Sequence, residues 1–545
     1  MIGNTLGLSP SFVDQNFNFK VDKTTLVFDT DDIKARLLDL ETPCYLVNEN
    51  SGMGAGTLVL DENSADACQA VSAVAYVPCF TAEELGDPEF KKNHNLKCSY
   101  CSGAMANGIA TKEMVIAMGK AGFLGSFGAG GLLPSQVEKA IVSIQYALPN
   151  GPYAFNLIHS PHEPAIEQAV VDLYLKYKVR CVEAAAFINL TPSIVHYRVA
   201  GLSRDEQGRV TIQNKVIAKI SRNEVATRFL EPPPKKIVDH LLQQRLITRE
   251  QAEIAFQVPM ADDITVEADS GGHTDNRPLT SLLPSVISLR NRIQKRENYD
   301  QWVRVGAAGG IGTPDAAFAA FAMGAAYVVT GSINQACVEA GACAHTRNLL
   351  AKADIADTAM APASDMFEMG VKLQVLKRGT FFPMRAQKLY DLYTSYNSLD
   401  DIPIQDREKL EKQIFQKNLD AVWDETKAFF EKRDPGQIEK AEKNPKKKMA
   451  LVFRWYLGLA SQWSNTGNSE RKLDYQIWCG PCMGAFNAWV KGTYLEAAEN
   501  RRVVDVAKNI MTGAAYLNRL MILKSQKVIV PSEFSVFDPR PFFRD

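Results

Sequence analysis

The chain carries almost no charge excess. Its 61 Lys and Arg stand against 62 Asp and Glu, a formal net charge of −1 over 545 residues. A nucleic-acid partner would call for a clear basic excess, so that class is set aside. Histidine is scarce, 7 residues in all, and no pair at i, i+4 stands near a carboxylate, so no metal site is expected. No Gly-x-Ser-x-Gly turn is present to carry a serine nucleophile. Ten cysteines over this length do not form a dense disulfide framework. The opening MIGNTLGLSPSFVDQ lacks a basic stretch followed by an apolar one. No signal peptide is therefore expected, and a cytoplasmic location is. The uncharged run from Ala316 to Val338 is long enough to imitate a membrane span, but Gly324, Gly331, Asn334 and Gln335 interrupt it. It divides into helix, strand and helix and reads as barrel interior.

The most informative segment is VRVGAAGGIGTPDAAFAAFAMGAAYVVTGS, Val303 to Ser332. An apolar strand runs into Gly309-Gly310-Ile311-Gly312. Thr313 then caps a helix with Pro314 in its first turn. A second apolar strand, Ala326 to Val329, runs into Thr330-Gly331-Ser332. Two successive turns of this kind set backbone N–H groups and helix N-termini side by side. A barrel of alternating strands and helices holds a phosphate in this way after its seventh and eighth strands.

From Cys98 onward the rhythm supports that reading. Apolar strands are predicted at Tyr100 to Ala104, Leu124 to Gly128, Ala154 to Ile158, Cys181 to Ala185, Val216 to Ile220, Ile264 to Ala268, Val303 to Ala307 and Ala326 to Val329, with helices after most of them. Eight strands with intervening helices imply an α/β fold, a closed parallel (β/α)8 TIM barrel. The expected organisation is a small accessory unit over 1–95, the barrel over 96–360 and a mainly helical region over 361–545. Asp61 to Val77 and Met366 to Lys377 are read as helical. Glu231-Pro-Pro-Pro opens a helical insertion at about 230–258, either a lid or a surface elaboration. Lys446-Lys447-Lys448 either precedes a solvated helix or steers an acidic partner such as a carrier protein. Cys479-Gly-Pro-Cys482 copies the thioredoxin redox loop, but its flanks lack the βαβ context, so redox chemistry is not expected. Sharing a zinc ion with Cys98 and Cys101 is disfavoured by their distance along the chain.

Such barrels react at the carboxyl ends of their strands. There the chain places Gly103-Ala104-Met105, Asn156, Glu183, Lys219 and the turn Asp269-Ser-Gly-Gly-His273. His273 sits on a glycine turn at a strand end, where it can donate a proton or orient a carbonyl near neutral pH. His159 and His162 are weaker candidates.

Gly-Gly-His after strand six, Ala308-Gly309-Gly310 after strand seven and Gly331-Ser332 after strand eight resemble the flavin-dependent nitronate monooxygenase superfamily, which includes bacterial flavin enoyl reductases of fatty acid synthesis. GAMANGIATKEMVIAMGKAGFLGSFGAGGL, FNLIHSP, VEAAAFINLTPSIVHYR, EADSGGHTDNRPL and FEMGVKLQVLKRGTFFPMRAQKLYDLY are closer still to the PfaD family, trans-acting enoyl reductases of polyunsaturated fatty acid and polyketide synthases. The resemblance implies FMN, its phosphate on Ala308, Gly309, Gly310, Gly331 and Ser332. It implies a ring against Ala104 and Met105, with Asn156 and Lys219 at its polar edge and Gly271-Gly272 beneath. His273 is then catalytic or substrate-orienting, NADPH the reductant, and an enoyl thioester on acyl carrier protein the substrate. A homodimer is left open, and Cys482 has no part in the implied chemistry. Other readings of the same barrel are a flavin monooxygenase of nitronates, a sugar-phosphate enzyme with Lys219 as electrophile or Schiff base, and an inactive synthase scaffold.

Overall fold

The computed structural model describes residues 7–8, 19–49, 52–60, 70–161 and 163–542. At its centre eight parallel strands close into a barrel: β1 (Tyr100–Ser102), β2 (Leu124–Phe127), β3 (Ala154–Ile158), β4 (Cys181–Ala185), β5 (Lys215–Ile220), β6 (Asp263–Glu267), β7 (Arg304–Ala308) and β8 (Val328–Thr330). The seam closes where Val328, Val329 and Thr330 pair with Tyr100, Cys101 and Ser102. Strands covered on both faces read as continuous apolar runs, which is why each stands out in the sequence. Thr111, Thr191 and Thr313 cap the helices after β1, β4 and β7 with their side chains.

The barrel floor is plugged from outside the strands. Helix Pro88–His94, within the stretch expected to be accessory, inserts Phe90 and His94. Phe90 stacks on Tyr327 at 4.0 Å. His94 lies 2.7 Å from Asp263, whose second oxygen takes Arg304 at 2.6 Å. Burial alone would raise the Asp263 pKa, but the two partners outweigh it and hold the carboxyl at about 2.

The N-terminal segment forms a five-stranded antiparallel sheet. Its longest strand is Ala70–Val77, so the part of the expected Asp61 to Val77 helix that is described is strand; 61–69 lie outside the described residues. Gln526, just past the long helix Val503–Ser525, exchanges two hydrogen bonds with the Tyr76 backbone and fastens this sheet to the rest of the molecule.

The insertion after β5 forms helices Lys235–Gln243 and Arg249–Ile254. Gln251 donates to the carbonyl of Ala200, and Pro259 accepts from the buried Arg198, both below the strands' amino ends. The lid reading is therefore overturned: the insertion packs on the face opposite the reactive one.

After the barrel the chain is not purely helical. Thr358–Pro362 and Lys372–Leu376 are antiparallel strands, and Gly272–His273 adds a third. The helix expected at Met366 to Lys377 is thus a short turn followed by a strand. Helices Phe382–Ser395, Leu419–Arg433, Gly436–Lys443 and Pro445–Thr466 follow. Among the described residues no helix is long and apolar enough to cross a membrane.

Candidate active site

The carboxyl ends of β6, β7 and β8 meet as expected. Gly309 and Gly310 both take left-handed backbone, at φ +80° and +79°, which glycine adopts without the penalty a Cβ brings. A Cβ on Gly309 would stand 2.6 Å from the Ala268 carbonyl carbon, so that turn is closed against β6. A Cβ on Gly310 or Gly331 would meet no atom within 4 Å. The two corners therefore face open space bordered by backbone. Beside them the Ser270 Oγ is buried without a hydrogen-bond partner. Open glycine corners with an orphaned hydroxyl nearby fit an anionic group such as a phosphate. The helix opening at Ser332 is a single turn, Ser332–Gln335, shorter than the sequence suggests.

A third element closes this corner. The Gly480 N–H donates to the Ser332 Oγ at 3.0 Å. The Cys482 thiol lies near enough to the Ser332 side chain and the Gly310 backbone for both to favour its thiolate. A Cβ on Gly271 would approach the Cys479 nitrogen to 2.8 Å, and one on Gly312 the Cys482 carbonyl oxygen to 2.5 Å. The Cys479-Gly-Pro-Cys482 loop is thus a wall of the site, which sequence reasoning missed. Burial raises the Cys479 thiol well above its ordinary pKa. It also pushes Cys482 up to about 11, the Ser332 side chain offsetting part of the rise. Both thiols stay protonated at neutral pH, the opposite of a redox-active pair.

Deeper in the barrel lies an ionic group. Lys219 Nζ stands 2.9 Å from Glu267 and 3.7 Å from Glu183. Burial pulls the Lys219 pKa down, but the two carboxylates push it up further and the net shift is upward. A Schiff-base lysine needs the reverse, so that role does not fit Lys219. Burial raises the Glu183 pKa despite Lys219 and the Ala104 N–H, which donates to it at 3.2 Å. Asn156 lies beside Glu183 in register and donates to its carbonyl at 3.1 Å. Met105 is buried next to Ala104. Ala104, Asn156 and Lys219 are therefore joined through Glu183, a residue the sequence located without its partners.

His273 is held at the rim. It pairs with Leu373 in the small sheet, and Gly272 (φ +82°) pairs with Gln374. Gln374 donates to Asp269 and to the Ser270 carbonyl, both at 2.8 Å, and so fixes the loop bearing the histidine. His273 Nε2 lies 3.2 Å from Asp365, and 38 % of the side chain is exposed. Burial works against the imidazolium, but Asp365 favours it more strongly and the pKa is raised. His159, by contrast, is paired with Glu167 at 3.0 Å and stacked on Phe187, a structural setting. His162 lies outside the described residues.

The comparisons with known proteins agree with this geometry. The sequence model for nitronate monooxygenase matches residues 94–388. That for the fatty acid synthase subunit PfaD N-terminal domain matches 20–76, and that for the inserted helical domain of [acyl-carrier-protein] S-malonyltransferase matches 396–475. The chain is 49 % identical over 517 residues to a polyunsaturated fatty acid synthase subunit of Thraustochytrium sp., covering 93 % of this chain and 34 % of that protein. It is 48 % identical over 438 residues to the polyketide biosynthesis protein PksE of Bacillus subtilis, covering 80 % and 57 %. It therefore spans less than two thirds of either relative. The crystal structure of the enoyl reductase domain of MlnA, from the macrolactin cluster of Bacillus amyloliquefaciens, superposes with a TM-score of 0.77 at 42 % identity, covering 81 % of this chain and 99 % of that one. With its closed barrel, its paired glycine corners and these relatives, the chain belongs to the nitronate monooxygenase family and, within it, to the PfaD type.

Proposed function

We propose that this chain is an FMN-dependent enoyl reductase of polyunsaturated fatty acid or polyketide synthesis. It reduces the carbon–carbon double bond of an enoyl thioester on acyl carrier protein at the expense of NADPH, in a cytoplasmic setting. The observation that carries the reading is the open corner over Gly310 and Gly331 beside the His273–Asp365 pair, in a chain 42 % identical to an enoyl reductase domain. The segment resembling the S-malonyltransferase helical insert supports a carrier-linked substrate.

Bound FMN would supply hydride transfer from the nicotinamide to the β-carbon of the enoyl thioester. The protein's own part is positional and electrostatic. The loops at Ala308-Gly309-Gly310 and Gly331-Ser332 would receive the phosphate with backbone N–H groups. Ala104, Met105 and Gly271-Gly272 would border the ring, while Asn156 and Lys219, itself held by Glu267 and Glu183, would stand at its polar edge. His273, whose protonated form Asp365 favours, would either give the proton that completes the α-carbon or donate a hydrogen bond to the thioester carbonyl. One hydride and one proton saturate the double bond, so the reaction balances.

The test is direct. Purified protein should be yellow, lose its absorbance under anaerobic NADPH, and regain it on addition of an enoyl thioester. A colourless chain that FMN cannot reconstitute overturns the reading. The family match also supports a nitronate-oxidising flavoprotein; oxygen uptake with a nitronate, without enoyl-thioester reduction, would establish that alternative instead.

A further inference from the structure

One half-buried cation at the barrel mouth, Arg454, has an enclosed Nε without a partner. Arg454 lies on helix Pro445–Thr466, which crosses the open end of the barrel. Ser461 on this helix accepts a hydrogen bond from the β1-loop residue Asn107 at 3.1 Å. The Arg454 carbonyl accepts from Ser364, the neighbour of Asp365. The Arg454 Nε is enclosed by protein without a hydrogen-bond partner. Among the described residues its guanidinium enters no ion pair.

The surrounding carboxylates do not supply one. Asp365, Glu368 and Glu163 are near enough to favour its charge, yet each already faces another cation. Asp365 holds His273, Glu368 holds Lys447 at 2.8 Å, and Glu163 takes Arg433 with its Nη2 at 3.0 Å. Arg454 is thus a cation at the rim with no direct ion-pair partner among the described residues. An arginine cannot shed its proton, and enclosing its Nε without a partner is costly. Its planar fork matches the oxygens of a phosphate.

We propose that Arg454 is the anion receptor of the barrel mouth and takes a phosphate group of the incoming reactant. Resting on the reading as a reductase, two reactants carry one: the pyrophosphate-bearing nicotinamide dinucleotide and the phosphopantetheine arm of the carrier. Lys219 in the barrel interior does not compete for this role, because it is engaged by Glu267 and Glu183.

The experiment compares wild-type holoenzyme with Arg454→Gln. Stopped-flow absorbance follows flavin reduction by NADPH, then reoxidation by crotonyl-4′-phosphopantetheine and by crotonyl-pantetheine, which lacks the phosphate. The expected result is an apparent Kd at least tenfold weaker for NADPH or for the phosphorylated thioester, at unchanged limiting rate and Tm. Which of the two weakens identifies the source of the phosphate. Crotonyl-pantetheine should be unaffected. Changes within twofold for both phosphorylated reactants, or an equal loss with crotonyl-pantetheine, overturn the proposal. Calorimetry with inorganic pyrophosphate tests the receptor even in a chain that reduces no thioester, which separates its failure from that of the functional reading. Binding should be lost in Arg454→Gln and partly kept in Arg454→Lys; equal binding in all three proteins refutes the assignment.

Discussion

Gly331→Ala is the cleanest perturbation of the cofactor corner. Gly331 has a negative φ, −133°, and a Cβ there meets nothing within 4 Å. The protein itself should therefore accept the methyl group, with a stability change of about 1 kcal/mol or less. The methyl instead occupies the space assigned to the phosphate and displaces it from at least one backbone donor. A hydrogen bond to a charged group contributes roughly 1.5–3 kcal/mol, and about 1.4 kcal/mol is tenfold in affinity. FMN should bind about 10- to 150-fold more weakly on that arithmetic. The assay is titration of apoprotein with flavin, read by fluorescence quenching, alongside thermal unfolding. Riboflavin is the control: it carries the same ring without the phosphate, and its affinity should not change. Equal weakening of FMN and riboflavin, or an FMN affinity within twofold of wild type, would refute a phosphate at this corner. Gly309→Ala cannot replace this variant. Its left-handed backbone and the 2.6 Å approach to Ala268 would disturb the fold itself.

Three further outcomes follow from the side chains around this corner and beneath it. Asp365 outweighs burial and raises the His273 pKa from its ordinary value; if its protonated form is the active one, turnover falls as pH rises through that raised pKa. Asp365→Asn should move the fall to lower pH while FMN content stays constant, and an unmoved profile would exclude His273 as the titrating group. At the barrel floor, Arg304→Met leaves the buried Asp263 carboxylate short of its cation and should cost roughly 3–5 kcal/mol in urea unfolding. Asp263, held at about 2, contributes stability above the unfolded carboxyl range. That contribution is lost as pH falls from about 4 through the native value, and a pH-independent stability of the variant relative to wild type would contradict it. Among the described cysteines Cys79 is the exposed one, whereas Cys479 and Cys482 are buried and protonated. Iodoacetamide at neutral pH should label Cys79 first and reach the other two only on unfolding; rapid labelling of native Cys482 would show an activated thiol after all.

The barrel, its glycine corners and the position of His273 were legible in the order of residues alone. Those features are local: a strand buried on both faces is an apolar run, and a left-handed turn needs glycine wherever the chain later goes. What each group faces was settled by the folded chain instead. Asp365 lies 92 positions from His273 and Gly480 lies 148 from Ser332, so no spacing rule connects them. Lys372–Leu376 looks helical in isolation but becomes a strand because Thr358–Pro362 and Gly272–His273 offer it backbone partners. The insertion after β5 has lid-like composition, yet its hydrogen bonds to Ala200 and Arg198 draw it to the far face. Charge pairing behaves in the same way. Lysine and arginine read alike as surface cations in a sequence, and burial together with the geometry of neighbouring carboxylates left Lys219 neutralised and Arg454 without a partner.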